Sequence, residues 1–165
     1  MQAFLDIFDI YLLEAAINGI LFGGVLALLA LGLNLIWGGA GMVNLGLAGF
    51  FAVGAYASAL ATTAVGAPIL AGWTLALIAG GMAGLVVTLS TTRLREDYLA
   101  IVTLGFAEVV RLVAANEIWL TRGADGISGI PGPWKTALGP DFNAVYLLIV
   151  CAVVAVVFIL VRRID

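Results

Sequence analysis

The sequence predicts an all-α fold: a polytopic integral membrane helical bundle of about five transmembrane helices. Three observations carry this. Hydrophobic residues make up 64% of the chain and charged residues 10%, and the mean hydropathy is +1.19. A soluble domain is usually about 25% charged. The tract from Ala15 to Thr92 contains no Asp, Glu, Lys or Arg. Glycine and proline cut the apolar tracts into lengths near the roughly 20 residues that a helix needs to cross hydrocarbon.

The elements follow in order. The first fourteen residues carry Asp6, Asp9 and Glu14 but no basic residue, so the positive start of a signal peptide is missing. A first crossing is expected over about Ala15–Trp37, ended by Gly38, Gly39, Ala40 and Gly41. A second covers about Met42–Thr63, and Gly66-Ala67-Pro68 makes the next turn. A third runs over about Ile69–Thr91, closed by the mixed-charge turn Arg93, Arg95, Glu96 and Asp97. A fourth spans about Tyr98–Ala115. Residues 116–143 form a polar loop with Gly123, Gly126, Gly129 and Gly132 at every third position, which reads as a tight, turn-rich connection. The fifth, about Ala144–Val161, stops at Arg162-Arg163. All belong to one transmembrane domain, residues 1–165.

Basic residues favour the cytoplasmic side. Five crossings put Arg93/Arg95 and Arg162/Arg163 together there, with the N-terminus and the 116–143 loop facing outward. Trp37, Trp73, Tyr98, Trp119 and Tyr146 fall near the ends of crossings, where amphipathic rings settle.

Composition also excludes functions. With no histidine and one cysteine, Cys151, neither a transition-metal or haem site nor a His-dependent triad is expected. No basic patch invites nucleic acid, and no P-loop is present, so the chain is not expected to hydrolyse nucleotide. It reads as a non-enzyme without a cofactor of its own, surrounded by membrane lipid.

The candidate functional residues lie in two places. Half of the residues from Gly38 to Thr63 are Gly or Ala. Asn44 precedes Gly46 and Gly49 there, so a helix can unwind and expose backbone groups, as transporters do where solute binds. Dense helix packing is the competing account. Glu108 and Arg111 share a face at i, i+3. Glu108 lies roughly 15 Å past Tyr98, near the bilayer midplane. The pair either lines a translocation path, meets a partner subunit, or neutralises itself as a structural ion pair. Asn34 needs a hydrogen-bond partner in the membrane, a neighbouring helix or a solute. Gly19/Gly23 and Gly80/Gly84 are small-xxx-small pairs suited, with Gly49, to close helix packing.

Three blocks together carry a resemblance: ALGLNLIWGGAGMVNLGLAGFFAVGAYASA (Ala30–Ala59), LREDYLAIVTLGFAEVVRLV (Leu94–Val113) and GADGISGIP (Gly123–Pro131). In this order they resemble the inner-membrane permease subunits of branched-chain amino-acid ABC importers of the LivM/LivH type, over nearly the whole chain. The resemblance implies a multi-pass protein of the bacterial inner membrane. Its implied partners are a second homologous permease, two cytoplasmic ATPase subunits that bind the ATP, and a periplasmic solute-binding protein. It implies a substrate path that includes Asn34, Asn44, Gly46, Glu108 and Arg111. Family members usually carry Ser and His in the block where this chain has Asn44 and Leu47, and they continue well past the equivalent of Arg163. The chain is therefore expected to be the N-terminal part of such a permease. Other readings are a permease for urea, short amides or other amino acids, a stand-alone secondary transporter or channel, and a non-transporting membrane scaffold.

Overall fold

In the computed structural model of the chain, residues 2–39, 41–91, 96–139 and 142–164 are described. Seven α-helices occur among them: α1 (Gln2–Asn34), α2 (Leu47–Thr63), α3 (Ile69–Thr91), α4 (Glu96–Asn116), α5 (Ile118–Thr121), α6 (Lys135–Leu138) and α7 (Phe142–Ile164). No strand occurs among the described residues. The protein is an all-α polytopic membrane protein. Among the described residues four helices are long and apolar enough to cross a bilayer, and α2 is a shorter apolar helix. Arg93 and Arg95, used above to orient the chain, lie outside the described residues.

Two compact units are present. The first comprises residues 1–35 and 134–165, and the second residues 36–133.

In the first unit α1 packs on α7. The contact is close at Gly24, where an added Cβ would lie 2.5 Å from Val150 Cγ1. Helix α1 is longer than the crossing expected at 15–37, because helical structure starts at Gln2 and runs on through a π-helical turn, Leu35–Gly39. The apolar stretch begins only at Tyr11. Asp6, Asp9 and Glu14 therefore all lie within α1, Asp6 and Asp9 ahead of the apolar stretch. Acidic side chains do not prevent a helix from extending beyond the hydrocarbon, and they suit its N-terminal end. Helix α7 ends in Arg162 and Arg163, where cations complement the helix dipole.

In the second unit α3 returns antiparallel to α2. Gly80 lies beside Phe50, Ala76 beside Gly54, and Gly72 beside Ser58 and Thr62. Helix α4 runs parallel to α2, with Gly46 beside Thr103 and Gly49 beside Ala107. Phe50 and Phe106 stack at 4.7 Å between the same helices. Glycine allows these approaches, because association inside a bilayer depends on close packing rather than on expulsion of water. Hydroxyls in the helices turn back on their own backbones. Thr62 donates to Ser58 O at 2.9 Å, Ser90 to Val86 O at 2.8 Å, and Thr91 to Val87 O at 2.8 Å. No buried side-chain polar atom lacks a hydrogen bond among the described residues, as a low-dielectric setting requires.

Beyond α4 the chain turns tightly. Gly123, Gly126 and Gly129 all adopt positive φ, at +60°, +66° and +77°. Buried Thr121 donates to Ala114 O at 2.7 Å and accepts from the Gly123 N–H at 3.2 Å, which ties this turn to the end of α4.

Candidate functional site

The expected crossing 42–63 is helical only from Leu47. The π-helical turn after α1 closes with the Gly41 N–H donating to Trp37 O at 3.1 Å. Gly41 then takes φ +68°, a left-handed value open to glycine at no steric cost. Residues 41–44 run without regular structure, followed by a turn at 45–46. The seventeen residues of α2 rise only about 25 Å, against a hydrocarbon core of roughly 30 Å. Non-helical backbone at such depth is tolerated where protein buries it or where it lines a cavity.

Gly46 is buried, and Met42 and Asn44 line a cavity. Asn44 Oδ1 accepts the Gly46 N–H at 2.8 Å, a turn closed by the side chain. The Leu45 N–H donates to Thr103 Oγ1 at 3.0 Å. Thr103 is 1% exposed, and its hydroxyl donates to Leu99 O at 2.9 Å with Ala100 O at 3.1 Å. It therefore serves as donor to its own helix and acceptor for the interrupted segment. Gly46 O then accepts from Gly49 N at 2.9 Å and Phe50 N at 3.1 Å, which starts α2. There is no room at Gly46 for a side chain: an added Cβ would lie 2.8 Å from Thr103 O.

Beside this start is a cavity of about 540 Å³. Met42, Asn44, Leu47 and Phe50 line it from the α2 side, Val87, Thr88 and Thr91 from α3, and Leu99 and Thr103 from α4. Its size falls in the range of small-molecule sites, which combine apolar walls with a few placed polar groups. Asn44 Nδ2 has no hydrogen-bond partner among the described residues, and Asn44 and Thr88 both bring polar side chains to the cavity lining.

Glu108 and Arg111 form a forked pair, Arg111 Nε to Glu108 Oε2 at 2.8 Å and Nη2 to Oε1 at 2.6 Å. The side chains are 52% and 64% exposed respectively. Glu108 is five residues beyond Thr103, about 7.5 Å along α4 and some 140° around it. The pair therefore stands off the face that packs on α2. Asn34, the last residue of α1, borders a separate apolar groove of about 750 Å³ against α7, within the first unit. Of the five expected path residues, the structure brings Asn44 together with Gly46, and Glu108 together with Arg111.

The glycines divide in the same way. Added side-chain carbons at Gly49 would meet Ala107 Cα at 2.9 Å, and at Gly80 would reach Phe50 O at 3.6 Å. At Gly19, Gly23 and Gly84 they meet nothing within 4 Å among the described residues. The spacing of glycines alone does not say which face of a helix meets a neighbour. Close packing instead falls at Gly24, Gly54 and Gly72, which spacing did not single out. Thr103 was also missed. Its one sequence signal is that it shares a stripe with Ala107 and Val110 at helical spacing.

The short helix α2 thus packs against α3 and α4 and starts beside a cavity. The chain belongs to the family described as Branched-chain amino acid transport system / permease component, which matches residues 15–163. It is similar to the high-affinity branched-chain amino acid transport system permease protein LivM of Escherichia coli (strain K12), 46% identical over 119 residues. The LivM protein of Salmonella typhimurium is 44% identical over 119 residues. In each case the match covers 70% of this chain and 27% of the relative, so the chain matches about a quarter of its relatives' length. No solved structure matches it.

Proposed function

We propose that the chain forms part of the translocation path of an ATP-binding-cassette importer for branched-chain amino acids in the bacterial inner membrane. A second homologous permease would complete the path, two cytoplasmic ATPases would bind and hydrolyse ATP, and a periplasmic protein would deliver the solute. Family membership over residues 15–163 carries this reading. The interrupted start of α2 supports it, because the site provides polar groups in an apolar wall without a charge that would trap the solute. Asn44, Gly46, Glu108, Arg111 and Asn34 are the proposed path residues. The Arg162/Arg163 end of α7 is assigned to the cytoplasm by the positive-inside rule.

A stand-alone proton-coupled transporter fits less well. It needs a carboxylate that exchanges protons within the span, and in the second unit the carboxylate within an apolar span, Glu108, rests with two hydrogen bonds from Arg111 rather than alone. Reconstitution separates the two. Vesicles holding the full importer, its binding protein and ATP should accumulate leucine, isoleucine or valine, and removal of ATP should abolish uptake. Accumulation by the permease without ATPase subunits, driven by a proton gradient, would overturn the importer reading.

A further inference from the structure

We infer that Glu108 and Arg111 are the headgroup site for an amino-acid zwitterion, an inference that rests on the permease reading above. Three observations lead there. First, α2 and α3 carry no charged residue, and between Asp97 and Glu117 the only charges on α4 are Glu108 and Arg111. A zwitterion crossing this part of the membrane must leave water with both its charges, which is costly unless they are paired. The cavity beside Asn44 offers it no charge. Second, the pair is forked but more than half exposed. Carboxylate and guanidinium stand side by side, with hydrogen-bonding capacity left on each. Third, Leu104 and Leu112, four residues before and after Glu108 on the same stripe of the helix, are exposed as well. They provide aliphatic surface next to the charges.

The exchange conserves charge. Arg111 turns its Nε and Nη2 from Glu108 to the solute carboxylate, which suits the same fork geometry. Glu108 accepts the solute ammonium. One ion pair becomes two, no net charge is buried, and release restores the original pair. Leu104 and Leu112 contact the branched side chain.

The test is ATP-driven uptake of leucine by the reconstituted full importer, with assembly measured by co-purification of its subunits. Glu108→Gln and Arg111→Gln should each lower uptake at least about tenfold. Arg111→Lys should not restore it, because an ammonium lacks the planar fork. The double variant Glu108→Leu/Arg111→Leu removes both charges at once, a change that a merely structural pair tolerates. It should assemble and transport less than a tenth as fast as the native importer. Near-native uptake by the double variant would overturn the zwitterion site and leave the permease reading standing. Failure of the double variant to assemble would overturn the site too, by assigning the pair to structure. If the native importer itself shows no ATP-dependent uptake of branched-chain amino acids, the permease reading falls first and the zwitterion site with it.

Discussion

The Leu45 N–H donates to Thr103 Oγ1 at 3.0 Å, a hydrogen bond that joins residues 58 positions apart. Through it the non-helical approach to α2 is fastened to the most buried of the described side chains of α4. A single hydroxyl thus decides where the interrupted segment sits, and with it one wall of the cavity.

Thr103→Val keeps the shape and removes the acceptor. The Leu45 N–H is then left without its partner, at a cost of about 1–3 kcal/mol. Thermal unfolding in detergent should show a clear loss of stability for Thr103→Val and near-native behaviour for Thr103→Ser. Hydrogen exchange at residues 41–46 should quicken in the valine variant alone. Equal stability of the two variants would show that the bond holds nothing in place.

Gly49 and Gly19 make a matched pair for packing. A methyl at Gly49 meets backbone, Ala107 Cα at 2.9 Å, whereas one at Gly19 meets nothing within 4 Å. Overpacking costs about 1–3 kcal/mol, and glycine in a helix interior is itself roughly 0.5–1 kcal/mol worse than alanine. Gly49→Ala should therefore lower the melting temperature and Gly19→Ala should leave it level or raise it. Differential scanning fluorimetry of the two variants, run side by side, checks the sign.

Gly84 lines the cavity at the α2 start and has open space where its side chain would be. Gly84→Leu should fold and assemble normally while filling part of the about 540 Å³. Uptake should fall severalfold or more with subunit assembly unchanged. Undiminished transport would place the path elsewhere.

Asn44 separates turn from solute contact. Asn44→Asp keeps the oxygen that accepts from Gly46 at 2.8 Å but removes the Nδ2 donor and adds a negative charge in an apolar wall. Asn44→Ala also removes the turn hydrogen bond from the Gly46 N–H, worth about 0.5–1.5 kcal/mol. Uptake should drop in both variants, and thermal stability should drop further in Asn44→Ala, which loses the turn hydrogen bond. Native uptake by Asn44→Asp would remove the amide from the path.

Much of the fold is legible in the residues because the bilayer imposes simple rules. An uncharged tract broken by Gly and Pro has to become helices, since only helices satisfy their own backbone in lipid. The third crossing, expected at Ile69–Thr91, coincides with α3 for that reason. The first and second differ at their starts. Helix α1 begins well before its apolar stretch, where hydropathy is a poor guide to helix limits. Helix α2 begins late, at Leu47, because the Asn44 turn and the Thr103 hydroxyl supply hydrogen bonds that compete with helix there.

The candidate residues show the same division. Charge placement and spacing alone identified Glu108 and Arg111 as a pair, since residues three apart on a helix must be neighbours. Composition alone identified a membrane protein, and Asn44 with Gly46 as an irregular point in an apolar run. Which glycines touch a neighbour, which threonine receives the loose backbone, and which face of α4 is left with its charges exposed depend on contacts between helices distant in sequence. Those are settled only when α2, α3 and α4 pack. The pair is local chemistry, and its exposure is a consequence of packing α4 on α2 through Thr103 and Ala107 rather than through Glu108.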